Sequence, residues 1–311
     1  MEKYYITTPI YYVNDKPHIG HAYTTILADT ISRFRALIGE KPTFLTGLDE
    51  HGLKVQQAAE KNGKAPQDHC DSMAPAFIDL WKKLNINYSD FIRTTEHRHT
   101  KIVQQILTKV HESGDIYMDE YEGWYSISEE RFITEKELDS GQFGEVKQIK
   151  EKNYFFRMSK YQATLIDKIE KDELLIQPKS RKNEVLGFLK NELSDLCISR
   201  PKSRLEWGIE LPFDDNYVTY VWFDALINYI SAIGAYSNDE HFSSLWPADV
   251  HLIGKDILTT HSVYWPTMLL SLGLPLPQRI FAHGWWLTDD QKMSKSLGNV
   301  VSPLMLSLIH I

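Results

Sequence analysis

The chain contains 311 residues, 42% hydrophobic and 24% charged, a composition typical of a globular protein with a sizeable core. Its formal net charge of −8 excludes a general polyanion-binding protein, so an RNA partner needs a local basic face. No apolar run approaches the ~20 residues of a membrane span, and the first predicted strand begins at Tyr4, which argues against a signal peptide. We therefore expect a cytoplasmic protein without a membrane partner, and the sequence predicts no oligomeric state.

The first part of the chain alternates strands and helices. The run from Tyr4 to Ile10 is rich in aromatic and β-branched residues, which predicts a buried strand. Apolar residues at helical spacing from Ile19 to Ile38 predict the helix that follows. The further elements predicted before residue 115 are a strand over 42–46, a polar turn over 47–52 and helices around 55–59, 77–84 and 102–110.

The pattern changes at Ile116, where aromatic and acidic residues alternate at short period. We interpret residues 116–216 as an insertion between two halves of an α/β sheet, 1–115 and 217–303. The α/β rhythm returns in the second half. Its predicted elements are strands over 217–221, 250–253 and 279–282, a helix through residue 230 and a helix over 257–272 kinked near Pro266.

The stretch His18-Ile19-Gly20-His21 lies where the first strand has ended and the first helix begins. In an open α/β sheet, ligands bind beyond the carboxyl ends of the strands. A helix N-terminus also offers backbone N–H groups and a positive dipole end to an anion. Gly20 has no Cβ, so a ligand can approach the backbone closely. The alternative is a pair of polar helix-start histidines that bind no ligand.

Near the end of the chain, Lys292-Met293-Ser294-Lys295-Ser296 predicts a mobile loop that can hold a polyphosphate. In this order, the two stretches resemble the signature motifs of class I aminoacyl-tRNA synthetases, and the residues below resemble the methionyl-tRNA synthetases among them. The resemblance covers residues 4–303. It implies an α/β fold with a Rossmann-like parallel sheet that is split by an α+β connective insertion. Residues 304–311 do not match the anticodon-binding domain that follows in the family, so we expect an atypical or truncated tail.

The resemblance implies an adenylation reaction that uses ATP with Mg²⁺, followed by transfer to the acceptor end of tRNA(Met). The attacking carboxylate needs no base, so catalysis rests on positioning and on stabilising the charge of the phosphate oxygens. The catalytic residues implied by the resemblance are His18, His21, Lys292 and Lys295. The implied ATP-binding residues are Gly20, Gly254, Asp256, His283, Gly284, Trp286, Lys292, Ser294 and Lys295.

The same resemblance implies an L-methionine pocket built from several strand ends. Asp49 is the natural partner of the substrate ammonium group, and aromatic residues give a polarizable wall that suits a thioether. Tyr12 and His261 are expected to donate hydrogen bonds near the sulfur. The implied methionine-binding residues are Ile10, Tyr12, Asp49, Val221, Trp222, Ala225, Leu226, Tyr229, Ile257 and His261.

We predict no structural zinc and no other protein-bound metal. Many relatives carry a zinc knuckle in the insertion, with cysteines where Ser126 and Glu129 stand here. The only cysteines, Cys70 and Cys197, are far apart in sequence and are interpreted as buried thiols.

Three alternatives to a methionine–tRNA ligase remain open at this point. The first is the same fold with another amino acid, such as cysteine, although no zinc ligands are evident in the implied pocket. The second is a non-catalytic RNA-binding or regulatory paralogue, which is expected to carry damaged signature motifs, whereas both are intact. The third is a truncated chain that binds ATP and methionine without charging tRNA.

Overall fold

The computed structural model describes residues 2–126, 131–133, 138, 145–288, 291–292 and 301–303. Its centre is a six-stranded sheet in which every pair of neighbours is parallel, in the order β3-β2-β1-β12-β13-β7. These strands are β1 Lys3–Tyr12, β2 Lys41–Asp49, β3 Asp90–Arg93, β7 Leu175–Gln177, β12 Val250–Gly254 and β13 Arg279–His283. The predicted α/β fold with a parallel sheet is confirmed.

Helices cover the sheet, and their apolar faces supply much of the core. They are α1 Ile19–Leu37, α2 Leu53–Lys61, α3 Pro66–Lys83, α4 His97–Glu112, α5 Gln162–Glu170, α6 Lys179–Phe188, α7 Val221–Leu226, α8 Asn228–Ser231, α9 Asp239–Leu245 and α10 Trp265–Ser271. Short 3₁₀ turns occupy Met158–Tyr161 and Lys255–Ile257, and a π-helical turn occupies Thr260–Tyr264. In the described part of the chain, no helix combines the length and the apolar character needed to cross a membrane.

The segment predicted as an insertion contains most of the antiparallel structure. One sheet has the order β5-β4-β6-β8 and another the order β10-β11-β9. Their strands are β4 Ile116–Ser126, β5 Arg131–Ile133, β6 Val146–Phe156, β8 Leu196–Cys197, β9 Ser199–Pro201, β10 Glu210–Leu211 and β11 Asp214–Thr219. However, β7, from the same segment, pairs with β13 in the central sheet. The domain limits at 115, 216 and 303 stay a prediction, and residues 304–311 lie outside the described part.

Four local predictions differ from the structure. The strand expected over 217–221 is β11, which ends at Thr219 and pairs with β9 and β10 outside the central sheet. Strand β2 continues through Gly47 to Asp49, where a turn was expected, because these residues pair with β1 and β3. Strands β3 and β7 were not predicted, since each has only four residues or fewer. The helix expected over 257–272 is instead a 3₁₀ turn, a π-helical turn and α10, with Pro266 in the first turn of α10.

The order of the strands determines where a ligand can bind. Strands β1 and β12 are neighbours at the middle of the sheet, although Ile6 pairs with Val250 from the other half of the chain. The chain leaves β1 toward β2 on one side and leaves β12 toward β13 on the other side. This divergence opens a crevice beyond the carboxyl ends of β1 and β12. The helix start at His18 and the turn after Gly254 both lie at this crevice.

Candidate active site

A cavity of about 510 Å³ lies at the carboxyl ends of β1, β2, β12 and β13, within the size range of small-molecule sites. The start of α1 and the helices α7 and α8 complete its walls. The predicted site residues that line it are Ile10, Tyr12, His18, Gly20, His21, Asp49, Val221, Trp222, Ala225, Leu226, Tyr229, Gly254, Asp256, Ile257, His261, His283, Gly284 and Trp286. The structure therefore brings together eighteen residues from both predicted subsites, and their individual roles stay predictions.

The lysine-rich stretch is only partly described. Lys292 lies in a two-residue strand, β15 Gln291–Lys292, which pairs with β14 Leu287–Thr288. Ser294 and Lys295 lie outside the described residues. The backbone N–H of Ile19 donates to the carbonyl of Val301 over 3.2 Å, so the chain beyond this stretch returns to the start of α1.

The two histidines at the start of α1 form a reciprocal cap. His18 Nδ1 accepts from the backbone N–H of Gly20 over 3.0 Å, and His21 Nδ1 accepts from the backbone N–H of His18 over 3.1 Å. A ring nitrogen that accepts an N–H carries no proton, so each neutral imidazole holds its proton on Nε2. The rings are stacked with centroids 3.8 Å apart. The cap therefore fixes both tautomers with the proton on Nε2, and both histidines line the cavity.

Tyr11 supports the second of these rings from β1. Its ring lies 4.7 Å from that of His21, and its hydroxyl is 2.7 Å from Thr25 Oγ1. Burial raises the pKa of Tyr11 to about 12, so the hydroxyl stays protonated. Gly20 has a related role, because a Cβ there would lie 2.9 Å from His18 Cε1. The missing side chain at Gly20 therefore leaves space for the His18 ring as well as for a ligand.

Near the end of β13, His283 is linked to α1. Its Nδ1–H donates to the carbonyl of Gly284 over 2.8 Å, so Nε2 accepts from the Thr24 hydroxyl at 2.7 Å. Burial lowers the pKa of His283, which favours this neutral form. Nearby, the Trp285 indole N–H donates to the carboxylate of Asp256. The two implied ATP-binding groups, His283 and Asp256, are thus each held by a neighbour that the sequence analysis did not name.

The amino-acid side of the cavity contains a tyrosine–histidine pair with defined proton positions. His261 Nδ1–H donates to the carbonyl of Ile257 over 2.9 Å, so Nε2 accepts from the Tyr229 hydroxyl at 2.7 Å. The expectation that His261 donates to the substrate sulfur does not fit this arrangement, because both ring nitrogens are engaged within the protein. The Tyr229 oxygen instead keeps its lone pairs and can accept a hydrogen bond. The π-helical turn Thr260–Tyr264 places His261 against Tyr229.

A second layer supports this pair. The ring of His251 lies 4.2 Å from that of Tyr229. His251 Nε2 accepts from the Trp265 indole N–H over 3.1 Å, so its Nδ1–H donates to Thr7 Oγ1 at 2.7 Å. All of these side chains are buried. Desolvation lowers the pKa of His251 well below its ordinary value, which keeps this wall of the cavity neutral.

The buried histidines predict a pH-dependent stability. Burial lowers the pKa of His261 from 6.5 to about 4. Below about pH 6.5 the unfolded chain binds a proton at this position, whereas the folded chain does not until about pH 4. The free energy of unfolding is therefore expected to fall as the pH decreases across this window, with roughly 3 kcal/mol from His261 alone.

Urea unfolding between about pH 7 and pH 4.5 measures this dependence. The His261→Gln variant, which cannot titrate, is expected to lose less stability over the same range than the unchanged chain. An equal loss in both proteins would show that His261 does not titrate as a buried neutral histidine.

Some cavity residues were not named by the sequence analysis. Tyr11 and Tyr220 resemble ordinary core aromatics, and Thr24 has no motif of its own. Asn228 was hidden between Leu226 and Tyr229, although its position one turn beyond Ala225 was a usable signal. The cavity residues to which the sequence analysis gave no site role are Pro9, Tyr11, Ile19, Thr24, Lys54, Tyr220, Asn228 and Trp285.

The prediction of no structural zinc is not tested in full. Ser126 is buried at the end of β4, and Glu129 lies outside the described residues. Among the residues that the structure describes, no group of three histidine, cysteine or acidic side chains is placed to hold a metal ion. The thiol of Cys70 is buried and that of Cys197 is partly buried, and neither forms a disulfide.

Comparisons with known proteins give consistent results. The sequence model of the tRNA synthetases class I (M) family matches residues 4–142 and 140–308. The methionine–tRNA ligase of Clostridium tetani is 52% identical over 309 residues, and that of Bacillus subtilis is 49% identical over 320 residues. Each alignment covers 97% of this chain and 48% of the relative. The chain thus spans about half the length of these curated relatives.

Solved structures show the same relationship. Mycobacterium tuberculosis methionyl-tRNA synthetase in complex with methionyl-adenylate is 42% identical and superimposes with a TM-score of 0.94, covering 99% of this chain and 62% of that one. Its apo form superimposes with a TM-score of 0.75 over 92% of this chain and 56% of that one. From the family match and these likenesses, the chain belongs to the class I tRNA synthetases of the methionine (M) type.

Proposed function

We propose that this chain activates L-methionine with ATP and serves as the catalytic part of a methionine–tRNA ligase. The observation that carries the proposal is the cavity at the sheet crevice. Two fixed imidazole N–H donors and a helix start lie on one side of it, and a neutral aromatic wall with one buried carboxylate lies on the other. The methionyl-adenylate in the similar M. tuberculosis enzyme supports the same substrates for this chain.

In the proposed reaction, a carboxylate oxygen of methionine attacks the α-phosphorus of ATP, which enters as its Mg²⁺ complex. A new oxygen–phosphorus bond forms as the bond to the leaving pyrophosphate breaks, so methionyl-adenylate and pyrophosphate are produced. Negative charge shifts onto the phosphate oxygens during this exchange. The Nε2–H groups of His18 and His21 and the positive end of α1 are suited to stabilise that charge. Lys292, Ser294 and Lys295 are proposed to bind the leaving pyrophosphate.

The amino-acid pocket is proposed to recognise the two ends of methionine differently. Asp49 is buried at the end of β2, which suits a carboxylate that pairs with the substrate ammonium group. Trp222, Ala225 and Tyr229 line the cavity from α7 and α8 and suit the thioether. Ile10, Tyr12, Val221, Leu226, Ile257 and His261 are proposed to complete this pocket. Gly20, Gly254, Asp256, His283, Gly284 and Trp286 are proposed to contact ATP.

Transfer to the acceptor end of tRNA(Met) is proposed as the second step. The 2′-hydroxyl of the terminal adenosine would attack the carbonyl carbon of the adenylate and release AMP. The cytoplasmic location stays a prediction.

The exchange of labelled pyrophosphate into ATP, run separately with each amino acid and without tRNA, tests the proposed function. Exchange with methionine alone is the expected result. Exchange with cysteine or another amino acid would support the proposed adenylation reaction and contradict the proposed methionine pocket. A folded chain without any exchange would favour the non-catalytic paralogue.

Asp49→Asn is expected to raise the KM for methionine by about 100-fold, because a charge-assisted hydrogen bond to the ammonium group is lost at a buried position. The KM for ATP is expected to change little. Pyrophosphate exchange at varied concentrations of each substrate measures both constants. An unchanged methionine KM in the folded variant would contradict the proposed role of Asp49 in the pocket.

A further inference from the structure

A buried cluster of histidine, aspartate and serine lies beside the cavity and has no part in the proposed chemistry. The carboxylate of Asp224 is bonded on both oxygens: Oδ2 lies 2.6 Å from His51 Nδ1, and Oδ1 lies 2.7 Å from His99 Nε2. His99 Nδ1 is in turn 2.7 Å from Ser231 Oγ. The side chains of Asp224 and His99 are fully buried, and that of His51 is 8% exposed.

The proton positions in this cluster follow from its geometry. Each imidazole donates an N–H to the carboxylate, which accepts only. Burial by itself raises the pKa of Asp224, but the two histidines outweigh it and hold the value at about 2, so the carboxylate is ionised. A buried charge held by two hydrogen bonds is a rigid connection, since loss of either partner leaves charge without compensation.

The cluster connects elements that carry the amino-acid pocket. Asp224 lies on α7 between Trp222 and Ala225, which line the cavity. His51 lies two residues beyond Asp49, where β2 has ended. These two sides of the pocket are 173 residues apart in sequence, and the pair His51–Asp224 joins them directly. The residues implied in ATP binding lie instead at the start of α1 and at the ends of β12 and β13.

We infer that Asp224 is a positioning residue for the amino-acid substrate. Its bond to His51 holds the pocket wall on α7 at a fixed distance from the carboxylate of Asp49, and its bond to His99 anchors α7 to α4. The inference rests on the proposed function and deepens it. It predicts that breaking the cluster weakens methionine binding selectively, because the distance between the ammonium partner and the side-chain wall is no longer fixed. ATP binding depends on other elements and is expected to be retained.

The arrangement Ser231–His99–Asp224 resembles a hydrolytic triad, but it is not placed for such chemistry. The serine is bonded to the imidazole and the imidazole to the carboxylate, as in that mechanism. However, Ser231 is 3% exposed and does not line the cavity, so no substrate carbonyl can reach its oxygen. The cluster therefore acts through the elements that it joins.

The test uses two substitutions at His51 that differ in one hydrogen bond. Asparagine places an amide group near the position of Nδ1 and can still donate to Asp224, whereas leucine cannot. We expect His51→Leu to raise the KM for methionine about tenfold, because the pocket wall shifts while Asp49 keeps its proposed contact with the ammonium group, and to leave the KM for ATP within about twofold. His51→Asn is expected to restore the KM for methionine to within about twofold of the unchanged chain.

Asp224→Asn is expected to behave like His51→Leu, and Asp115→Asn is the matched control. Asp115 is equally buried and is held by Lys160, Tyr161 and Ser271, but it does not line the cavity. Its amide variant is expected to lower Tm and to leave the KM for methionine unchanged.

Four outcomes would overturn the inference. The first is an unchanged methionine KM in folded His51→Leu, and the second is an equal effect of leucine and asparagine at His51. The third is an equal rise in the KM for methionine and the KM for ATP. The fourth is failure of His51→Leu to fold while Asp115→Asn folds. The last would show that the cluster only stabilises the fold. Calorimetric titration of the same variants with methionine, without ATP, separates this inference from the proposed function, because it needs no turnover.

Discussion

Replacing His18 with asparagine is expected to lower the rate constant of pyrophosphate exchange about 100- to 1000-fold, the effect of removing one preorganised donor to a charged transition state. The cap at the start of α1 makes this variant informative. Asparagine places its Oδ1 where His18 Nδ1 accepts from the N–H of Gly20, and it is a favoured N-cap residue. It has no counterpart of Nε2–H. The folded structure is thus expected to be preserved while the proposed donor to phosphate is lost.

Thermal unfolding and pyrophosphate exchange, measured on the same preparations, check this result. The Tm of His18→Asn is expected to stay within a few degrees of the unchanged chain, since the capping hydrogen bond is kept. His18→Gln is the reciprocal control, because its amide approximates Nε2–H but does not cap the helix. It is expected to lose stability and to keep more activity than His18→Asn. Higher activity in His18→Asn than in His18→Gln would mean that activity depends on the helix cap and not on the Nε2–H donor.

The second large effect is expected on stability, at Gly47. A Cβ at this position would lie 2.0 Å from the carbonyl oxygen of Ile92 in the adjacent strand, a backbone atom that cannot rotate away. Gly47 and Ile92 are register partners in the sheet. Gly47→Ala must therefore separate β2 from β3 locally, and we expect a loss of about 3 kcal/mol or more in the free energy of unfolding.

Urea unfolding of Gly47→Ala and Gly187→Ala provides a matched comparison. Gly187 lies in α6, and a Cβ there would meet nothing within 4 Å. Alanine is expected to stabilise that helix by about 0.5–1 kcal/mol. If the two variants unfold at similar urea concentrations, the close approach of β2 and β3 at Gly47 is not maintained in solution.

The sequence was sufficient to predict features that depend on local pattern. The alternation of buried strands and amphipathic helices predicted the parallel sheet, and the strand–helix junction at His18 predicted where the cavity lies. The family resemblance added predicted site residues that are far apart in sequence. Eighteen of the residues predicted for the site line one cavity. Ser294 and Lys295 are the site residues whose placement is not described.

Other features depend on pairings between distant segments, which no single segment indicates. Strand β7 is three residues long and is recognisable only because β13 lies beside it. The tautomer of His261 is set by Ile257 and Tyr229 together, so the expected donation to the substrate could not be checked from spacing. The partners of Asp224 are 125 and 173 residues away from it.

The pairing of β1 with β12 also has a consequence for the chain as it leaves the ribosome. Thr7 and His251, which are hydrogen-bonded across this pairing, are 244 residues apart. At the usual synthesis rate, β1 would wait roughly 10–50 s for its neighbour, with one hydrogen-bonding edge exposed. Strand β2 can cover only its other edge during that interval. The nascent chain is therefore expected to depend on chaperones until β12 has emerged, and the crevice between β1 and β12 cannot form before that point.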